Sequence, residues 1–287
     1  MPPEREPPTI PPAALQEMAG WESTVVWAFA PDVVTWRLRA PHGEVRYLKV
    51  ARRGREIGLG AESERMRWAS TQRAGSAPRR PPSLRPSLRY CPARLPVPRV
   101  LQEGTDGERE WLLTAALPGV NATDAALTAD PPRLVPLLAQ GLRRFHALEV
   151  EGCPFDGRLE TTLATVRHRL AAGLTRQDGP LRPEHGVSTP GAALDLLIRR
   201  RPPERDLVVC HGDYCLPNVL IEDWRVSGFV DLGALAVADR WRDLAVATWS
   251  VTWNLGPGWE DLFLECYGAP RDEERRAYYR LLYDLLP

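Results

Sequence analysis

The stretch that decides the fold is residues 207–221, LVVCHGDYCLPNVLI, together with FVDLG at residues 229–233. Two apolar runs typical of buried strands flank a polar loop in the first stretch, and a further apolar run opens the second. The loop carries Asp213 and, five positions later, Asn218; Asp231 follows after another thirteen positions. A short hairpin between the runs is predicted to bring these polar side chains together.

These side chains suit the transfer of a phosphate group. Carboxylate and amide oxygens are ligands that Mg²⁺ prefers, so Asn218 and Asp231 are the candidate metal ligands. Asp213 can accept a proton from a hydroxyl group or orient that group. His211 is predicted to brace the loop, with a role as proton shuttle as the alternative.

A single lysine, Lys49, stands among 37 basic residues, of which the other 36 are arginine. A planar guanidinium does not replace a compact ammonium charge, so Lys49 is a candidate functional residue before any motif is considered. It lies in the strand-like run VRYLKV at residues 45–50 and is predicted to reach phosphate oxygens. Glu62, on a predicted helix at residues 61–73, is its predicted partner, and Glu64 is the alternative.

The chain as a whole predicts an α+β, bilobal, protein-kinase-like fold. A small antiparallel lobe with one helix is predicted over residues 13–117, and a larger, mostly helical lobe with the catalytic loop and acceptor pocket over residues 118–287. The strand-like runs of the first lobe are residues 25–29, 33–38, 45–50, 97–101 and 111–114. Further helix candidates are residues 159–174, 190–201, 240–254, 259–267 and 271–286.

Two segments fall outside this pattern. The Pro-rich residues 1–12 are predicted to be a disordered leader. Residues 74–96, AGSAPRRPPSLRPSLRYCPARLP, are dense in proline and arginine and predict an exposed, mobile loop. A basic patch that binds an anion is the alternative for this loop.

Composition excludes several classes of protein. The 37 acidic residues balance the 37 basic ones, so no overall charge draws the chain to nucleic acid or an anionic membrane. The sequence has neither a signal peptide nor an apolar run near the ~20 residues that span a bilayer. Its five cysteines lack metal-ligand spacing. These features predict a cytoplasmic protein. We also expect a monomer or weak dimer whose partner is a small molecule.

The position of the motifs favours a small-molecule kinase over a protein kinase. Only 56 residues follow Asp231, and no APE sequence is among them. This length is too short for a peptide-binding lobe after the metal-binding turn.

The chain resembles the aminoglycoside 3′-phosphotransferases, the kanamycin and neomycin kinases. The similarity covers most of the chain and is strongest in five segments. These are LLAQGLRRFHALEVEGCPFD (137–156), LVVCHGDYCLPNVL (207–220), SGFVDLG (227–233), VADRWRDLAVAT (237–248) and the terminal YYRLLYDLL. The resemblance implies that ATP or GTP phosphorylates a hydroxyl of an aminoglycoside antibiotic, which confers resistance.

The resemblance also implies a role for each matched residue. Asp213 is then the catalytic base or hydroxyl-orienting residue, and Asn218 and Asp231 hold Mg²⁺. Lys49 contacts the nucleotide phosphates, with Glu62 as its partner.

The resemblance also implies that the purine of the nucleotide contacts the first lobe. Tyr47 would stack on its ring, and the backbone from Ala115 to Leu117 would meet its edge. A core position in the sheet is the alternative for Tyr47. The flap at residues 28–32, AFAPD, lacks the small residues that close over phosphates.

The acceptor side departs from the family, whose pocket is lined with carboxylates that attract a polycation. The loop RQDGPLRPEH at residues 176–185 keeps Asp178 and Glu184 but has Arg182 where an acid is expected. The resemblance implies a pair of acidic residues near the C-terminus, and Asp284 is the one acid of that pair in this sequence. His146 and His185 are predicted to be structural.

Two tryptophans on one predicted helix stand where the family has charged residues. Trp249 and Trp253 form either a wall that stacks on a sugar or part of the core. These departures leave two alternatives open. One is the same kinase chemistry on a less cationic hydroxylated antibiotic or metabolite, and the other is a nucleotide-binding module without aminoglycoside activity.

Overall fold

The computed structural model describes residues 8–16, 18–29, 32–54, 58–73, 94–174 and 181–286. Most of the proline- and arginine-rich loop, most of the predicted leader, part of the flap and Asp178 lie outside these residues. The chain folds into two compact units. The first contains residues 1–71, 96–118 and 228–233, and the second contains residues 72–95, 119–227 and 234–287.

The first unit is built on a five-stranded antiparallel sheet and one helix. The strands are β1 (Glu22–Phe29), β2 (Val33–Arg39), β3 (Val45–Arg52), β4 (Val100–Thr105) and β5 (Arg109–Ala115), in the order β1-β2-β3-β5-β4. Helix α1 (Leu59–Thr71) contacts β3, β4 and β5. Its buried face includes Glu62, Met66 and Ala69, the spacing that the sequence predicted.

Alternation along β3 separates the core from the polar face of the sheet. Leu48 and Val50 are fully buried in an apolar cluster with Leu38 and Leu113. Because successive side chains of a strand point to opposite faces, Lys49 and Tyr47 share the other face. Register places Lys49 between two neighbouring strands, opposite Thr35 of β2 and Leu112 of β5.

The predicted start of β4 was wrong by three residues. The sequence suggested residues 97–101, whereas the strand begins at Val100. Pro96 and Pro98 have no backbone N–H for a strand ladder, so pairing begins after them.

The second unit is mostly helical. Its helices are α2 (Ala125–Thr128), α3 (Pro131–Phe145), α4 (Leu159–Ala171), α5 (Pro190–Arg199), α6 (Trp241–Leu255), α7 (Glu260–Tyr267) and α8 (Glu273–Tyr283). Helix α3 packs on α7, and α6 packs on α8. Strands β7 (Leu207–Cys210) and β10 (Ala236–Asp239) pair with each other, and β6 (Val120–Asn121), β8 (Val219–Glu222) and β9 (Arg225–Phe229) form a small sheet.

The observed helices match the predicted ones in position and are mostly shorter. Helix α8 begins after Asp272, whose side chain accepts a hydrogen bond from the Arg275 backbone N–H and so caps the helix. Among the described residues, no helix combines the length and apolar character needed to cross a bilayer. The α+β fold class is confirmed.

Candidate active site

Lys49 is held between two carboxylates in the first unit. Its Nζ donates to Glu62 Oε2 and to Asp231 Oδ1, each at 2.9 Å. Glu64 is exposed on the outer side of α1, so Glu62 and not Glu64 is the ion-pair partner. Burial opposes the charge of Lys49, but the carboxylates of Asp231 and Glu62 outweigh it, and the pKa of Lys49 lies above its ordinary value. The ammonium group therefore stays charged.

Asp231 reaches Lys49 from a strained turn. Its φ is 61°, in the left-handed region that residues with a Cβ rarely adopt. Such a conformation costs of order 1 kcal/mol and persists where surrounding contacts hold it. The ion pair with Lys49 is one of those contacts, and it fixes the direction of the carboxylate.

Asp213 lies in the second unit, and both of its carboxylate oxygens accept hydrogen bonds. Tyr283 Oη donates to Oδ1 at 2.9 Å, and Asn218 Nδ2 donates to Oδ2 at 2.9 Å. Asn218 Nδ2 also donates to the Asp213 carbonyl at 3.0 Å. The structure therefore brings together the two residues that the loop motif singled out, and adds Tyr283, which sequence analysis had not selected.

The backbone of this loop is fixed by a buried carboxylate, Asp243 of α6. It accepts hydrogen bonds from the backbone N–H groups of His211 at 2.6 Å and Gly212 at 2.8 Å. Gly212 has φ of 87°, and a Cβ there would lie 2.3 Å from the Ala234 carbonyl oxygen, so only glycine fits. Sequence analysis quoted the segment that contains Asp243 but missed its role.

Asp243 is in turn held by His146. The Nε2 atom of His146 lies 2.9 Å from Asp243 Oδ2, and its Nδ1 lies 2.8 Å from Tyr267 Oη. Burial would raise the pKa of Asp243, but hydrogen bonds from His146 and Gly212 outweigh it and lower the pKa. The ionised carboxylate accepts a hydrogen bond from Nε2–H, so the Tyr267 hydroxyl donates to Nδ1. His146 is thus structural, in agreement with the sequence interpretation.

His211 also braces the loop. It is completely buried, and its ring lies against Phe145 and Tyr214. Its Nδ1 accepts a hydrogen bond from the backbone N–H of Asp213 at 3.3 Å. These contacts favour the bracing interpretation over a proton shuttle.

Potential metal ligands also meet in this buried region. One ligand atom each from His146, Cys210 and Asp243 lies within 4.8 Å of the others. The Cys210 thiol already donates to carbonyl oxygens of β10, and burial together with Asp243 raises its pKa. Together with the contacts of His146 and Asp243, these hydrogen bonds make the group a buried hydrogen-bond network.

The residues predicted to meet a purine lie together at the end of the first sheet. Tyr47 is half-buried and lies outside the apolar cluster, paired across β3 and β5 with Thr114. Ala115 is the last residue of β5, and its backbone N–H donates to the Arg99 carbonyl oxygen at 3.0 Å. The Leu117 side chain lies close to Gly228, where a Cβ would be 2.5 Å away from it.

The residues predicted to lie on the acceptor side show three different environments in the second unit. Trp253 is 76% exposed, which excludes the core alternative for this residue. Its ring centroid lies 6.0 Å from that of Trp249, and the Trp249 centroid lies 6.1 Å from that of Tyr283. Glu184 is exposed on a turn. Asp284 is buried and paired with Arg182 and His185, so His185 is structural as predicted.

A family comparison identifies the family to which the chain belongs. The family model described as "Phosphotransferase enzyme family" (APH) matches residues 32–279. The chain belongs to this family. The match includes Lys49, Asp213, Asn218 and Asp231.

Individual members of this family show which subgroup the chain is most similar to among those compared. It is 42% identical over 195 residues to an aminoglycoside 3′-phosphotransferase of Streptomyces fradiae, which covers 66% of this chain and 72% of that protein. A crystal structure of an aminoglycoside-3′-phosphotransferase of type VIII superposes with a TM-score of 0.78 and 31% identity over 94% of this chain and 95% of the other. The resemblance seen in the sequence is confirmed.

One of the similar structures that contain ligands has both a nucleotide and an aminoglycoside bound. It is an aminoglycoside phosphotransferase APH(3″)-Id of Streptomyces rimosus in complex with ADP and streptomycin. It is similar to this chain with a TM-score of 0.70 and 29% identity, over 93% of this chain and 92% of the other.

Proposed function

We propose that the chain is an aminoglycoside 3′-phosphotransferase, a kinase that confers resistance by phosphorylating the antibiotic. The observation that carries this proposal is the hydrogen-bonded Asp213, with its carboxylate fixed by Asn218 and Tyr283. The 42% identity with the enzyme of Streptomyces fradiae supports the choice of acceptor.

In the proposed reaction, the oxygen of the acceptor hydroxyl forms a bond to the γ-phosphorus. Asp213 accepts the proton that this hydroxyl loses. The bond between that phosphorus and the bridging oxygen of the β-phosphate breaks, and the nucleoside diphosphate leaves. The network of Asp243 and His146 holds the backbone of His211 and Gly212, the two residues directly before Asp213. Proteins catalyse phosphoryl transfer mainly by positioning the reacting groups and stabilising charge.

Lys49 supplies positive charge to the nucleotide phosphates. Glu62 and Asp231 hold its ammonium group, and a raised pKa keeps it charged. Tyr47, Ala115 and Leu117 are the proposed contacts of the purine of ATP or GTP.

The donor set fits a hard cation. The Asn218 amide nitrogen is engaged by Asp213, which leaves the amide oxygen as a ligand, and Asp231 offers a carboxylate. When bound, Mg²⁺ would neutralise the phosphate charge. Asn218 and Asp231 would hold it.

Nucleotide turnover with a panel of acceptors tests the proposal. We expect Mg²⁺-dependent turnover of ATP or GTP with kanamycin and neomycin, and none with an analogue that lacks the 3′-hydroxyl. Streptomycin in the same panel distinguishes a 3″-type activity. Nucleotide binding without turnover of any aminoglycoside would contradict the proposed acceptor and favour a less cationic hydroxylated compound.

Replacing Lys49 by arginine tests the role of the single lysine. We expect kcat/KM for the nucleotide to fall about 100-fold, in the range seen when one electrostatic contact to a transition state is lost. The planar guanidinium does not fit the place between Glu62 and Asp231 that a point charge fills. The exposed Glu64→Gln is the control and should keep wild-type kinetics; a Lys49→Arg enzyme with wild-type kcat/KM would refute the assignment.

A further inference from the structure

Arg182 lines a small cavity of the second unit, beside residues predicted to lie on the acceptor side. Its guanidinium carbon lies 3.5 Å from the centroid of the Trp249 ring, and its Nη1 donates to Asp284 Oδ1. The other carboxylate oxygen of Asp284 lies 2.8 Å from His185 Nε2. The Asp284 side chain is 4% exposed, so its charge is compensated within the protein and not by solvent.

A carboxylate beside the face of an indole ring is a favourable place for a cation. The ring face attracts a positive charge through its quadrupole, and the carboxylate attracts it directly. An ammonium group of an acceptor would find both partners here. Arg182 supplies a cation from the chain itself.

The cavity is connected to the proposed base through Tyr283. Its volume is about 10 Å³, room for about one water molecule, and its lining includes Arg182, Glu184, His185, Trp249, Arg280 and Tyr283. The Tyr283 hydroxyl donates to Asp213 Oδ1, so one residue of the cavity lining also contacts the proposed base. Ligand pockets usually exceed about 300 Å³, so an acceptor group reaches Trp249 and Asp284 only when Arg182 moves away from them.

We propose that Arg182 is a specificity-determining residue that occupies the place of an acceptor ammonium group. An acceptor with an ammonium group at this position must displace the guanidinium from Trp249 and Asp284, and its affinity is lowered accordingly. The inference rests on the proposed function, because it assigns a selectivity to that acceptor site.

A purely structural role for Arg182 makes the opposite prediction. If Arg182 only anchors Asp284 at the end of α8, its removal loosens the helix that carries Tyr283. The KM for the acceptor would then rise, or kcat would fall. If Arg182 instead competes with the acceptor, its removal lowers KM and leaves kcat unchanged.

The test is the steady-state kinetics of Arg182→Gln with neomycin. We expect KM for neomycin to fall about tenfold, as the loss of a competing cation–π contact and ion pair predicts, with kcat within about twofold of wild type. The matched control is Arg271→Gln, which removes one positive charge from an exposed ion pair with Asp261 and should leave KM unchanged. Unchanged or raised KM in the folded Arg182→Gln enzyme would overturn the proposal.

A second variant covers the case in which loss of the buried pair prevents folding. Arg182→Lys keeps the charge but loses the planar stacking on Trp249, and we expect KM to fall about threefold. An unchanged KM in this variant would also count against the proposal. Calorimetric titration with neomycin gives the same comparison without turnover. If the wild type turns over no aminoglycoside, the proposed function is contradicted. If wild type and variant bind neomycin with equal affinity, only the inference about Arg182 is contradicted.

Discussion

Replacing Asp213 by asparagine lowers kcat by about 1000-fold, within the range that a positioned general base contributes. The amide keeps the size of the side chain but cannot accept the proton of the acceptor hydroxyl. Nucleotide affinity stays within about twofold of wild type, because Asp213 is assigned to the acceptor and not to the nucleotide. Steady-state turnover and equilibrium nucleotide binding measure the two effects separately.

Asp223→Asn is a matched control for this variant. Asp223 is exposed in the β8–β9 turn with φ of 49°, a conformation that asparagine also adopts readily. This variant should keep wild-type kcat. Retained turnover in Asp213→Asn would refute the assignment of Asp213 as the base.

The second large effect is expected from Asp243→Asn. We expect the free energy of unfolding to fall by about 3 kcal/mol, as when one partner of a buried charged network is removed. An asparagine must place its NH₂ group either against the backbone N–H of Gly212 or against the donors of His211 and His146, so at least one of these hydrogen bonds is lost. Because the same N–H groups set the loop that carries Asp213, kcat should also fall about 100-fold.

Urea unfolding and steady-state kinetics measure these two quantities for Asp243→Asn. Asp261→Asn serves as the control, because its ion pair with Arg271 is exposed and should contribute less than about 1 kcal/mol. An Asp243→Asn protein with wild-type stability and wild-type kcat would show that the buried carboxylate does not hold the loop.

The residues of the two motifs could be predicted because their chemistry is specific. Asp213, Asn218 and Asp231 stand at fixed short spacings between apolar strands, and few other functions require that set. Lys49 was found by a different signal, the absence of any other lysine. Glu62 followed from helical spacing, and the structure selected it over Glu64.

The supporting contacts could not be predicted because they join distant parts of the chain. Asp243 reaches the loop from more than 30 residues away, and Tyr283 reaches Asp213 across 70 positions. Arg182 and Asp284 are 102 positions apart. Nothing in local periodicity encodes such pairs, since they depend on how α6 and α8 pack.

The arrangement around the single lysine has a consequence for chemical labelling. Among all side chains, Lys49 carries the sole amine, and Glu62 and Asp231 keep that amine protonated. Acylating reagents attack only the neutral amine, so the side-chain amine reacts only when it leaves its two carboxylates. The rate of acylation at this one position is therefore a direct reporter of how often the ion pairs open, with the α-amino group as the single competing amine of the polypeptide.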